Sequence, residues 1–209
     1  MSTTDPKPPG TFEDCTSVAS NTRLRWLILT TGPLPAGSAM NLAQGEHLVL
    51  QFHYINTKDN AVRINTVVRF HTVPAASVHT WVATTVANDL TVDVTPGVSY
   101  HTYDCKLSAP RQLTGMFGHM HEYGATIAID IGPDVDHLTR MVTIDPWLPA
   151  YYNDPPWRDI SPAMELPQGS IIRTSCSWHN DTGAALTYPT EMCLTFTWLA
   201  GAKDAATCD

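Results

Sequence analysis

The frequent prolines and glycines along this chain constrain its fold more than any other feature. Sixteen prolines and twelve glycines are spread over 209 residues, and between them lie short runs rich in Val, Ile, Thr and aromatic residues. Proline removes a backbone donor, whereas β-branched and aromatic side chains favour strands. No long stretch has the 3.6-residue period of an amphipathic helix. The sequence therefore predicts an all-β sandwich.

The strand candidates share alternating, β-branched composition. They are Glu46–Ile55, Asn65–Val73, Tyr123–Ile131, Ser170–Trp178 and Met192–Leu199, with others at Leu90–Val94 and Leu138–Ile144. Tight turns are expected at Leu34–Gly37 and Thr95–Gly97. The stretch Asp145–Glu165 contains five prolines and is predicted to be a long ordered loop that forms part of a pocket rim. Small residues at Pro74–Ser77 indicate a weak boundary between two strand-rich halves.

The net charge of the chain limits the classes of molecule that it is expected to bind. Twenty acidic residues against twelve basic ones give a net charge of −8, and Lys and Arg are not clustered. A chain that cannot neutralise phosphates is not expected to bind nucleic acid. No apolar run approaches the roughly 18 residues of a membrane helix, so no membrane span is expected either.

The five cysteines lie at positions 15, 105, 176, 193 and 208, without a CxxC pair or zinc-like clustering. Disulfides are the natural interpretation, and they predict an oxidising compartment, secreted or periplasmic. The first ten residues are polar and proline-rich, with no apolar segment of the signal-peptide kind. We therefore expect a leader to have been removed or left out of this sequence.

Two histidines, His119 and His121, alternate around Met120. On a strand, both imidazoles leave the same face and can share one metal, although alternate histidines are also common on solvent-exposed strands. Met192 is the first residue of a strand candidate, and taken alone it is interpreted as a packed core residue. Beside two imidazoles, however, a soft thioether favours Cu(I) over Zn(II).

Three blocks in order carry a family resemblance: Leu48–Tyr54, His119–His121 and Glu191–Cys193. Together they are similar to the ascorbate-dependent type II copper monooxygenases, the peptidylglycine α-hydroxylating and dopamine β-monooxygenase family. The resemblance implies a jelly-roll-like, antiparallel β-sandwich. It divides the chain into residues 1–75, resembling the end of a first domain, and residues 76–209, resembling the catalytic copper domain.

The resemblance also implies copper ligands, disulfide bonds and reaction partners. It assigns one catalytic copper to His119, His121 and Met192, disulfides to Cys105 with Cys208 and Cys176 with Cys193, and dioxygen, a small-molecule substrate and a reductant such as ascorbate as reaction partners. His53 matches one ligand of the family's separate electron-transfer copper. The adjacent His-His pair expected with it is not found in this sequence, and Cys15 lacks its expected upstream partner. His53 is therefore as readily a core histidine as a ligand.

A second departure concerns the substrate. Peptide-hydroxylating members hold a substrate carboxylate with Arg, Asn and Tyr at positions that are here Phe117, Leu194 and Phe196. The expected substrate is therefore apolar or neutral.

Two other hypotheses compete with a monooxygenase that hydroxylates a C–H bond: a non-catalytic copper carrier or sensor, and a metal-free sandwich that binds carbohydrate or protein. The metal-free hypothesis uses three tryptophans as platforms, namely Trp157, Trp178 and Trp198.

Overall fold

Short and medium-length strands make up nearly all of the regular structure in this computed structural model, which describes residues 2–3, 8, 10, 34–50 and 59–208. The strands are β1 Ser2–Thr3, β2 Ser38–Ala39, β3 His47–Leu48, β4 Thr80–Asn88, β5 Asp93–Val94, β6 Gly97–Lys106, β7 Arg111–His119, β8 Gly124–Gly132, β9 Thr139–Ile144, β10 Arg158–Leu166, β11 Ile171–Asn180, β12 Leu186–Thr187 and β13 Leu194–Ala200. Short 3₁₀ turns occur at Ala75–Ser77 and Pro149–Tyr152.

Two sheets pack against each other. One has the strand order β10-β7-β13-β4-β2 and the other β6-β11-β8-β9, with two-stranded pairs β1-β3 and β12-β5 beside them. All pairings are antiparallel except that of β2 with β4. The predicted all-β sandwich is therefore confirmed.

Strand β7 shows how side-chain alternation separates the interior from the outer face. Met116 and Met120 point inward and are fully buried, whereas Phe117 lies in a separate outer cluster. Gly118 allows the second sheet to approach, because a Cβ there would lie 2.6 Å from Cδ1 of Ile127. The histidines at 119 and 121 consequently fall on the outer face of the five-stranded sheet.

Both disulfides implied by the family resemblance are present. Cys105–Cys208 joins the end of β6 to the C-terminal segment, and Cys176–Cys193 joins β11 to the residue that follows Met192. Two intrachain bridges are typical of proteins outside the cytoplasm. Cys15 lies outside the described residues.

The predictions for the C-terminal half are largely confirmed. The strands expected at Tyr123–Ile131, Leu138–Ile144, Ser170–Trp178 and Met192–Leu199 correspond to β8, β9, β11 and β13 with boundaries shifted by up to two residues. Of Leu90–Val94, only Asp93–Val94 is a strand. Within Glu46–Ile55, His47–Leu48 is a strand, and residues 51–55 lie outside the described part.

The strand prediction at Asn65–Val73 is wrong. Residues 61–74 form no regular structure and are exposed throughout, including Val67 at 67% and Val73 at 57%. Alternating β-branched residues favour an extended chain, but a strand also needs a neighbouring backbone to pair with. None of the described strands is paired with this segment.

The loop prediction for Asp145–Glu165 is wrong at its C-terminal end. Residues 158–166 form β10, the edge strand beside β7. The register of this pair shifts between Asp159 and Met164, and Pro162 lies within the shift. An edge strand with an irregularity tolerates proline, so proline content alone overestimated the loop.

The described residues contain no helix long and apolar enough to cross a membrane.

Candidate metal centre

The His119 and His121 side chains meet where β7 ends. Their ring centroids are 5.1 Å apart and the ring planes lie at 84°. His119 is the last residue of β7, while His121 follows it in a turn. Met120 between them is fully buried in the interior, so the alternation expected of a strand continues past its formal end.

Met192 lies on the same outer face as the two histidines. The β7–β13 register pairs Leu194 with His119, and continuing it by two residues puts Met192 opposite His121. Residues directly opposite in an antiparallel pair present their side chains on the same face. Met192 is partly buried and packs against the outer cluster, whereas its neighbour Cys193 is buried in the interior. The three predicted ligands therefore occupy one face at one end of the sheet.

Hydrogen bonds hold His121 to the segment that precedes Met192. Its Nδ1 lies 2.9 Å from the Thr190 carbonyl oxygen, which can only accept, so Nδ1 carries the proton. This tautomer makes Nε2 the nitrogen whose lone pair is suited to a metal. The indole of Trp147 donates to the His121 carbonyl oxygen at 3.0 Å. Ring and backbone of His121 are thus fixed independently.

Glu191 is the buried centre of this network, with 0% of its surface exposed. Its Oε2 accepts from the backbone N–H groups of His121 at 3.2 Å and Met192 at 3.4 Å, and from the Trp178 indole at 3.0 Å. Its Oε1 accepts from the backbone N–H of Tyr123 at 2.8 Å. One carboxylate therefore joins the histidine turn, the methionine segment and the opposite sheet.

His119 is electrically neutral over the whole physiological range. Burial, with a smaller contribution from the nearby His121, lowers the pKa of His119 to about 3. Metal ligation requires the neutral imidazole, because protonation removes the lone pair. Burial thus keeps His119 in the form that a metal needs.

Tyr152, from the 3₁₀ turn at Pro149–Tyr152, covers the imidazole pair. Its ring centroid is 4.3 Å from that of His121 and 6.0 Å from that of His119. Burial raises the Tyr152 pKa, as do the charges of Glu191 and Glu122. The proline-rich segment thus reaches the histidines, but its sequence did not single out this tyrosine.

An aromatic cluster continues from His119 along the outer face. Phe117 and Phe196 stack with centroids 4.8 Å apart, and Phe196 lies edge-on to His119 at 6.1 Å. Leu194 belongs to the same buried cluster. Trp178 and Trp198 are each only 1% exposed, so they cannot act as the surface platforms of the metal-free hypothesis. Trp157 is half-buried and packs edge-on against Trp198 at 4.7 Å.

Two imidazoles and a thioether suit copper by donor chemistry. Among the described residues, no group of three or more His, Cys, Asp and Glu could hold a metal ion. Methionine is not one of those residue types, and a set of two imidazole nitrogens and one thioether sulfur is the kind that favours Cu(I). His53 lies outside the described residues, so its role remains a prediction.

Comparison with protein families and with curated proteins gave no match to this chain. The features that suit a metal lie in the chain's own residues: the face shared by His119, His121 and Met192, the hydrogen bond between His121 Nδ1 and the Thr190 carbonyl, and the lowered pKa of His119.

Proposed function

We propose that His119, His121 and Met192 bind one copper ion and that the protein is a copper-dependent monooxygenase acting in an oxidising compartment. The observation that carries the proposal is the 2.9 Å hydrogen bond between His121 Nδ1 and the Thr190 carbonyl oxygen, because a proton on Nδ1 leaves the lone pair of Nε2 for a metal. Histidine ligands are typically oriented in this way, through a hydrogen bond from the other ring nitrogen.

Copper in this position would supply reductive activation of dioxygen and removal of a hydrogen atom from a substrate C–H bond. One oxygen atom of dioxygen would enter the substrate and the other would leave as water. The two electrons required would come from an external reductant such as ascorbate, which the family resemblance implies.

The surrounding residues support an apolar or neutral substrate. Phe117, Leu194 and Phe196 lie on the face that carries His119 and offer no charged or hydrogen-bonding group. A carboxylate placed there would lose its hydration without gaining a partner. Because these three side chains are buried, the cluster would form an apolar wall that excludes water from the imidazoles, and the partly exposed Tyr152 would be the ring that meets apolar substrate surface.

The test is competitive titration of Cu(I) into the wild type, His119→Ala, His121→Ala and a matched control, His179→Ala, whose side chain is exposed on β11. The wild type and the control should bind one copper, and the two site variants should lose most of the affinity because each keeps only two ligands. Equal binding by all four proteins would refute the site.

Oxygen consumption then separates the enzyme from a copper carrier or sensor. Copper-loaded wild type with ascorbate and an apolar substrate should consume dioxygen in proportion to hydroxylated product. Tight copper binding with no substrate-dependent consumption across a panel of apolar compounds would favour the carrier.

A further inference from the structure

Glu191 is a fully buried acid whose charge the proposed reaction does not use. Each polar contact of its carboxylate is an accepted N–H hydrogen bond, to His121, Tyr123, Met192 and Trp178. Acceptance on both oxygens from four donors suits the ionised, acceptor-only form.

No cationic side chain compensates this charge within the described part of the chain. The pairs of a carboxylate with a basic side chain that are found there join other residues, at His101–Asp89, His137–Asp134, Arg140–Asp130 and Arg173–Asp104. A buried anion held by N–H dipoles alone remains costly, and a nearby cation would offset that cost. The proposed ligands His121 and Met192, whose backbone N–H groups bond to this carboxylate, are where such a cation would bind.

We infer that Glu191 is the positioning residue of the copper site: it fixes His121 relative to Met192 and supplies the negative charge that a bound copper ion compensates. The inference rests on the proposed function. It assigns Glu191 no direct contact with copper.

Two observations separate this role from general core stabilisation. First, the carboxylate accepts hydrogen bonds from the backbone of two of the three proposed ligands. Second, the carbonyl of Thr190, the residue before it, accepts from the His121 ring.

The two parts of the role predict different losses. Removing the charge should weaken Cu(II) more than Cu(I), because the doubly charged ion gains more from a neighbouring anion. Displacing the carboxylate while keeping its charge should weaken both oxidation states alike.

The experiment compares Glu191→Gln and Glu191→Asp with Glu165→Gln, a matched control whose carboxylate accepts from Gln112 at the other end of β7. Cu(I) and Cu(II) affinities are measured by competition with chelators. Glu191→Gln should lose about 10–100-fold in Cu(II) affinity, the usual range when a group that orients a metal ligand is removed, and less in Cu(I) affinity. Glu191→Asp should keep the wild-type ratio of the two affinities, and Glu165→Gln should match the wild type throughout.

Wild-type affinities in Glu191→Gln for both ions would overturn the inference while leaving the copper site intact. Absence of copper binding in the wild type would instead refute the proposed function. If Glu191→Gln does not fold, Glu191→Asp decides, because its shorter side chain moves the carboxylate away from the N–H groups of His121 and Met192 and should weaken binding of both ions. Wild-type affinities for both ions in Glu191→Asp would overturn the positioning role.

Discussion

Met192 is both a packing residue of the outer cluster and the only sulfur donor proposed for copper. Replacing Met192 by Leu preserves volume, so the free energy of unfolding should change by less than about 1.5 kcal/mol. Cu(I) affinity should nevertheless fall by about tenfold or more, because a soft ligand is lost. Met192→His should retain the metal but shift its preference toward Cu(II). Competitive titration of both ions checks this, and an unchanged Cu(I) affinity in both variants would identify the thioether as core packing.

The residues of the candidate site differ in how far the sequence could predict them. Strand alternation was enough to put His119 and His121 on one face, and the structure places Met192 there too. The hydrogen bonds of Glu191 were not predictable, because they join segments about 70 positions apart. Tyr152 was missed because its contact with His121 depends on how a proline-rich segment folds back.

At the scale of strands, Asp104 on β6 and Arg173 on β11 form a directly opposed pair with two hydrogen bonds, at 2.6 and 2.7 Å. The Arg173 hydrogen bond lowers the pKa of Asp104 below its usual 3.8. Because the folded-state pKa is depressed, the stabilisation is present above 3.8 and is lost as the pH falls through the folded-state value.

Asp104→Asn should therefore lower the free energy of unfolding at pH 7 by at most about 1 kcal/mol, since both side chains are about one-third exposed. The penalty should diminish as the pH is lowered from 7 to about 3, below the usual Asp pKa of 3.8, and in high salt. Chemical denaturation of the wild type, Asp104→Asn, Arg173→Gln and the double variant at both pH values measures the coupling. A coupling that persists at the lower pH would show that charge is not its source.

Strand predictions succeeded where burial and local pattern agree. Strands β8, β11 and β13 are rich in buried β-branched or aromatic residues and were predicted closely. Strands β4, β6 and β7 were not, although β6 shows the alternating burial of a strand with one covered face. Polar residues such as His101, Thr102 and Asp104 obscure that pattern in sequence. The sequence does not show which strands pair with one another, and residues 65–73 belong to none of the described sheets.

At the scale of the whole molecule, the two disulfides stabilise different parts of the sandwich. Cys105 lies in the interior cluster of Leu113, Ile129 and Leu199, and its bridge spans 103 positions. Cys176 and Cys193 lie in the cluster of Met120, Trp147 and Trp178, and their bridge spans 17. Only the second bridge adjoins a proposed ligand, because Cys193 follows Met192.

The two bridges should therefore separate stability from copper affinity. By loop-closure entropy, replacing Cys105 and Cys208 by Ala should cost about 4–5 kcal/mol, and replacing Cys176 and Cys193 about 3 kcal/mol, with native strain reducing either value. Cu(I) affinity should show the opposite order: the Cys176/Cys193 variant should lose it because the Met192 segment is no longer tied to β11. The folded Cys105/Cys208 variant should bind as the wild type does. Denaturant unfolding and Cu(I) competition on the same samples test both orders, and equal loss of affinity in the two variants would mean that the ligand geometry depends on the sandwich as a whole.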